Sequence, residues 1–235
     1  MQAIKERYNI NKTNTPIILI ASFITAIIML MMNVLSNIAS YWSLPNPVYP
    51  ALPDIFFDTF GYHDLAEPVD ISMGIIIAFT TLSVLLRKDA LVIYFRVFCC
   101  LSISYLLRMT TISATNLPSP NRNCQRVGKH IFTSTDFNRC GDLVFSGHTL
   151  MIITMGMVWA SYRLIPHRLG NLIVTMILWI VIVLTLIGIL LTHNHYSIDV
   201  ILGVYISSGV WIIYGFVWEK YLIKNKYLKS IVPEN

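Results

Sequence analysis

The chain has 235 residues, 55% of them hydrophobic and only 12% charged, with a mean hydropathy of +0.64. Charge at about half the usual share argues against an ordinary water-soluble enzyme. The formal net charge of +5 comes from scattered cations rather than a basic patch with exposed aromatics, so no nucleic-acid partner is expected. Runs near the ~20 apolar residues that cross a bilayer recur along the chain, which predicts an all-α integral membrane protein.

In chain order, six spans are predicted at 16–40, 70–86, 90–108, 144–162, 170–192 and 198–218. The second is short for a crossing, and the third carries Arg96. The first is too long for a cleaved signal peptide. One six-span catalytic domain, 16–218, is thus flanked by an N-terminal segment, 1–15, and a basic tail, 219–235. Lys5, Arg7 and Lys12 precede the first span, Arg87 and Lys88 join the second to the third, and Arg163 and Arg168 join the fourth to the fifth. Lys220, Lys224, Lys226 and Lys229 follow the sixth. If the spans alternate, these cations share one side, and the positive-inside rule puts both termini in the cytosol. Loops 41–69, 109–143 and 193–197 then face the exoplasm; the first and last hold no Lys or Arg, whereas 109–143 has Arg122, Arg126, Lys129 and Arg139.

Cys99 and Cys100 fall within the third span and read as packing residues. Cys124 and Cys140 share an exoplasmic loop, an oxidising setting, and their pairing stays open.

The chemistry-bearing residues gather at exoplasmic span ends. The stretch Cys140-Gly141-Asp142-Leu143-Val144-Phe145-Ser146-Gly147-His148-Thr149 runs straight into an apolar helix. Ser146 suits an N-cap, Gly147 permits close backbone approach, and His148 falls in the first turn, where free N–H groups attract anions such as phosphate. Read alone, this is equally a capped helix with a chance histidine. The stretch His193-Asn194-His195-Tyr196-Ser197-Ile198-Asp199 closes an uncharged run and opens the last span. His195 and Asp199 are four residues apart, so one helical face would carry both. An aspartate there fixes the imidazole tautomer and stabilises charge developing on the ring, as a histidine nucleophile needs. His148 and His195 open two spans at one depth, where one ring can attack phosphorus while the other protonates the leaving oxygen. His193 lacks a carboxylate partner at that spacing and reads as a loop residue. No Cys, His or carboxylate spacing suggests a metal, and no cofactor is expected.

These two blocks resemble the signatures of the sphingomyelin synthase family, within the wider lipid phosphatase/phosphotransferase superfamily. Pro50-Ala51-Leu52-Pro53-Asp54 is similar to that family's first-loop segment, with Ala51 where many relatives have Pro. Tyr105-Leu106-Leu107-Arg108-Met109-Thr110, continuing to Asn116-Leu117-Pro118, resembles the block closing the third span. The blocks follow family order over residues 16–218. The resemblance implies a six-helix bundle with its active site near the exoplasmic face, His195 as nucleophile, Asp199 as its orienting partner and His148 as acid–base residue. It implies transfer of a phospho-alcohol head group from a glycerophospholipid to the primary hydroxyl of ceramide, releasing diacylglycerol. Arg108 would neutralise phosphate, and an interfacial snorkelling arginine is the alternative. Asp54, Asp142, Ser146, Gly147 and Tyr196 complete the expected substrate-binding set. Phosphatidylcholine and phosphatidylethanolamine are the expected donors, since the first exoplasmic loop carries Asp54, Asp58, Asp64, Glu67 and Asp70 and suits a cationic head group better than inositol. Golgi or plasma-membrane residence is implied by the resemblance only, and homo-oligomerisation stays open. The folded cytosolic N-terminal domain of some relatives, with any regulation assigned to it, is expected to be absent.

Two rivals stand beside this reading. A lipid phosphate phosphatase of the same superfamily places an arginine six residues before the nucleophilic histidine, where this chain has Ile189, and precedes the acid–base motif with a Lys-rich block not found here. A diester carries one negative charge and needs fewer cations, so both absences favour transfer from a diester. A non-catalytic lipid binder would gain nothing from His148, His195 and Asp199 together.

Overall fold

The computed structural model describes residues 14–43, 50–121, 124, 132 and 139–220. Among them stand seven helices: α1 (Asn14–Tyr41), α2 (Ile55–Phe60), α3 (Ala66–Leu85), α4 (Ala90–Ala114), α5 (Gly147–Ser161), α6 (Arg168–Leu191) and α7 (Ser197–Lys220). The expected flanking segments 1–15 and 219–235 lie outside the described residues, apart from 14, 15, 219 and 220, as do Arg122, Arg126 and Lys129 of the long loop.

Five helices, α1 from Pro16, α3, α4, α6 and α7, are long and apolar enough to cross a membrane. The expected span at 144–162 differs. Its helix, α5, has 15 residues, about 22 Å at ~1.5 Å per residue, against a hydrocarbon core of ~30 Å. Burial allows this economy. Leu150, Ile152, Ile153, Val158 and Trp159 are buried, and α5 touches α3, α4, α6 and α7. A helix wrapped by others need not match the bilayer itself. By contrast, α6 exposes Leu169, Leu172, Met176, Ile180 and Leu184, an apolar stripe suited to lipid.

Small and hydroxylated residues let the helices approach. A Cβ on Gly203 of α7 would lie 2.8 Å from Thr149 Cβ of α5, a small-residue contact of the kind that packs membrane helices. Thr25 Oγ1 of α1 and Ser102 Oγ of α4 share a hydrogen bond of 2.9 Å. Cys124 and Cys140 form a disulfide with Cα atoms 5.0 Å apart, which resolves the pairing left open by the sequence. Cys99 and Cys100 are free in α4, and Cys100 is buried.

At the histidine end, loops fold over the bundle. Asp54 caps α2 by accepting from Phe56 N–H at 2.9 Å. The His63 N–H donates to Leu191 O at 2.8 Å, tying the loop after α2 to the end of α6. Asn121 Nδ2 reaches Asn194 Oδ1 at 2.8 Å, fastening the loop after α4 to the turn before α7.

Candidate active site

The strap 142–146, between the disulfide and α5, fixes the site. Its backbone is strained: Val144 has φ 71° and Phe145 φ 149°, regions that cost non-glycine residues of order 1–3 kcal/mol each. Four hydrogen bonds hold it there. Arg108 Nε donates to Phe145 O at 2.6 Å, and Arg108 Nη2 meets Asp142 Oδ1 at 2.8 Å. From the α7 side, Val144 N–H donates to Asp199 Oδ1 at 3.0 Å and Ser146 N–H to Asp199 O at 3.2 Å. The strap therefore joins α4 to α7 through one arginine and one aspartate.

Where the strap ends, Ser146 caps α5, its Oγ accepting from Thr149 N–H at 3.2 Å. The next residue admits no side chain. A Cβ on Gly147 would lie 2.8 Å from Arg108 Nη1, so the guanidinium rests against the first turn of the helix. His148 follows in that turn. Its ring stands edge-on to His195, centroids 5.8 Å apart and planes at 63°. The two rings are thus close enough to contact one small group at the same time.

Asp199 is completely buried, and His195 Nδ1 lies 3.5 Å from its Oδ2. This is ion-pair range but longer than a hydrogen bond, and His195 Nδ1 has no hydrogen-bond partner. Asp199 instead accepts from two backbone N–H groups, Val144 and Tyr196, the latter at 3.0 Å. Asp199 thus shapes the strap and the start of α7 as well as standing beside the imidazole.

Arg108 is 5% exposed. It does not snorkel; it is committed to the strap. For Asp142, burial alone would raise the carboxyl pKa. The charge of Arg108, that of His195 and hydrogen bonds from Arg108 and Ser36 outweigh it, and the net result lies below the ordinary 3.8. The pair leaves the remaining guanidinium nitrogen, Nη1, beside the head of α5.

Below these groups opens a cavity of about 410 Å³, with Arg108, Asp142, Gly147 and His148 at its polar end and Met29, Met32, Met73, Ile77 and Met151 along its walls. His148, rather than the deeper His195, lines it. Methionine-walled space adapts to flexible apolar chains.

The expected residues fall into two groups. His148, His195, Asp199, Arg108, Asp142, Ser146 and Gly147 converge here. Asp54 and Tyr196 turn elsewhere. Tyr196 OH donates to Pro118 O at 2.7 Å and accepts from Leu52 N–H at 2.9 Å. Asp54 accepts from Ser197 N–H and Ser197 Oγ, both at 2.8 Å. Burial would raise the Asp54 pKa, but these bonds and those from the α2 backbone bring it below its ordinary value. Both residues clasp the first loop to the start of α7. His193 sits in the turn before α7, its ring stacked on Phe57 with centroids 4.0 Å apart, away from the cavity.

Sequence reading passed over the contribution of α1. Ser36 Oγ donates to Asp142 Oδ1 at 3.1 Å, and Arg139 Nη2 to Asn33 Oδ1 at 2.7 Å. The signal was present: Asn33, Ser36, Asn37 and Ser40 recur at helical spacing within an apolar run, a polar stripe with no reason to face lipid.

Comparison with known proteins points the same way. The PAP2 superfamily C-terminal family model matches residues 139–216, the stretch from the strap to α7 that contains both histidines and Asp199. The chain is 30% identical over 211 residues to human phosphatidylcholine:ceramide cholinephosphotransferase 1, covering 81% of this chain and 49% of that protein. It is 30% identical over 185 residues to human sphingomyelin synthase-related protein 1, covering 71% and 44%. Sphingomyelin synthase-related 2 of Caenorhabditis elegans is 29% identical over 201 residues, covering 76% and 59%. The chain thus spans about half the length of the curated relatives it matches.

Proposed function

For this homologue of the sphingomyelin synthase proteins, a multi-pass membrane protein of the phosphatase/phosphotransferase superfamily, we propose a sphingolipid synthase that moves a phospho-alcohol head group from a glycerophospholipid to ceramide. The observation that carries the reading is the pair of imidazoles 5.8 Å apart at the head of α5, with a guanidinium beside the same turn.

The steps follow from the groups at hand. His195 Nε2 attacks phosphorus, the bond from phosphorus to the glycerol oxygen breaks, and His148 gives that oxygen its proton. Diacylglycerol leaves, and the head group remains on His195 as a phosphohistidine. Ceramide enters, His148 takes the proton of its primary hydroxyl, and that oxygen displaces the head group as the phosphorus–nitrogen bond breaks. Covalent capture divides one difficult transfer into two and lets both lipids use one cavity in turn. Asp199, beside Nδ1, stabilises the imidazolium, and its separation from that nitrogen shortens when the ring becomes charged. Arg108 Nη1 and the free N–H groups of α5 hold the phosphate. The methionine walls take the acyl chains.

In the membrane, α5 makes the fourth of six crossings, both termini lie in the cytosol, and the histidines face the lumen or exterior, in the Golgi or plasma membrane. The relative named a phosphatidylcholine:ceramide cholinephosphotransferase and the acidic first loop support phosphocholine or phosphoethanolamine as the group transferred.

The test is thin-layer chromatography of full-length protein in membranes with fluorescent ceramide, each donor being offered in turn. A phosphorylated sphingolipid that disappears in His195→Ala and His148→Ala is the expected result. Release of head group without that product would make the protein a hydrolase and overturn the proposal.

A further inference from the structure

We infer that the end of the bundle opposite the histidines carries a binding site for an anionic phospholipid. Here α3 and α6 diverge. Between them lies a cavity of about 310 Å³ with purely apolar walls, among them Ile76, Phe79, Ile177 and Val181. Phe79 also lines a second cavity of about 780 Å³ at the helix ends, together with Trp159, Arg87, Lys88 and Pro166. Phe79 stands between the two, so an acyl chain lying in the first cavity has its polar end beside the basic residues of the second.

The surface between the two cavities is rigid and flat. Phe79 stacks on Trp159 with ring centroids 5.3 Å apart and planes 7° from parallel. Trp159 Nε1 donates to Thr80 Oγ1 at 3.1 Å, so the indole's polar atom is satisfied within the bundle. Phe79 remains 42% exposed, a large apolar face open to an acyl chain.

At the mouth of the second cavity, the loop after α3 is locked to the loop after α5. Arg87 Nε and Nη2 chelate Asp89 at 2.6 and 2.8 Å, and Arg87 Nη1 donates to the carbonyl of Arg163. Asp89 is the carboxylate lining the mouth, and it is spent on Arg87. Lys88 lines the mouth and is exposed, and the exposed Arg163 directly precedes its lining residues Leu164 and Ile165, so positive charge is in surplus beside it.

Shape and charge together select the occupant. A soluble anion has no use for the apolar limb. A zwitterionic lipid fits the limb but brings its own cation against Lys88 and Arg163. A phospholipid of net negative charge satisfies both. These cations lie on the side that the positive-inside rule assigns to the cytosol, the leaflet that holds the cell's anionic lipids. The inference stands whether or not the histidines transfer a head group.

The test uses full-length protein in mixed micelles of phosphatidylserine and phosphatidylcholine in equal amounts, with retained lipids counted by native mass spectrometry. Phosphatidylserine is expected to be enriched by ~5-fold for each cation, the equivalent of about 1 kcal/mol per basic residue, and less so as salt rises. The double variant Lys88→Glu with Arg163→Glu should remove the enrichment. Lys88→Gln with Arg163→Gln gives the same reading should charge reversal impair folding. Ile177→Trp, which fills the apolar limb, should reduce retention of both lipids. Equal retention of the two lipids by the unaltered protein would overturn the site. So would enrichment that persists in the charge variants, since that would place the lipid on other cations such as the basic tail.

Discussion

Two arginine–aspartate pairs occupy opposite ends of this bundle. Arg87 and Asp89 are two residues apart in sequence, with side chains 30% and 24% exposed. Arg108 and Asp142 are separated by a loop, with side chains 6% and 22% exposed, and their pair fixes a strained strap against α5. The first is a partly exposed clasp that also reaches the Arg163 carbonyl, and solvent screens its Coulomb attraction in part. The second is desolvated, so losing one partner strands the other in a poor solvent. The same two residue types therefore join two loops at one end and hold a strained strap beside the histidines at the other.

The largest expected effect lies beside the buried pair. His195→Ala should abolish transfer, and His148→Ala should lower it by ~10²–10⁴-fold, with protein in the membrane at unchanged levels by gel filtration. If either retains substantial transfer, the histidine end loses its distinction from the other. Arg108→Ala should then cost about 3–5 kcal/mol in stability, read as a lower unfolding temperature, in addition to lost activity. Its counterpart, Arg87→Ala, should cost no more than about 1 kcal/mol. Equal losses would erase the contrast.

Gly147→Ala sharpens it further. A Cβ 2.8 Å from Arg108 Nη1 must displace a guanidinium pinned by Phe145 and Asp142, so activity should fall by ~10-fold or more, in line with the cost of misplacing a catalytic group, while the unfolding temperature moves little. Acid should also tell the pairs apart. The Asp142 pKa is depressed in the fold, so its contribution is full above the ordinary value of 3.8 and is lost as pH falls through the lower, folded value. Asp142→Asn should flatten that acid limb of a stability–pH profile. The smallest effect on transfer is expected from Tyr196→Phe, which removes the hydroxyl that bridges Pro118 and Leu52. It should cost about 1–3 kcal/mol with transfer by the remaining protein intact. A selective loss of turnover would bring Tyr196 back to the substrate.

Much of the site was legible because it is local. Ser146, Gly147 and His148 form a helix start, so spacing alone brings them together; His195 instead precedes α7 by two residues, and its Nδ1 stays 3.5 Å from Asp199 Oδ2, beyond the hydrogen bond that one helical face was expected to give. The same local logic did not reveal the partners of Asp54 and Tyr196. Both lie in the right blocks, but their side chains meet each other's loops across more than a hundred residues, and no local pattern reports that. The short length of α5 was hidden for a related reason. An apolar run looks alike whether it faces lipid or four other helices.

The amino-acid order by itself determined the membrane-helical class and the gathering of polar residues at the starts of α5 and α7, because hydropathy and helical spacing are properties of a few neighbouring residues. Only the tertiary structure decided that the two imidazoles meet, that Arg108 is committed to a strained strap, that α1 lends Ser36 to Asp142, and that Phe79 borders both an apolar cavity and one lined by Arg87 and Lys88. Those outcomes depend on which helices pack together, and packing is settled by contacts between residues far apart in the chain.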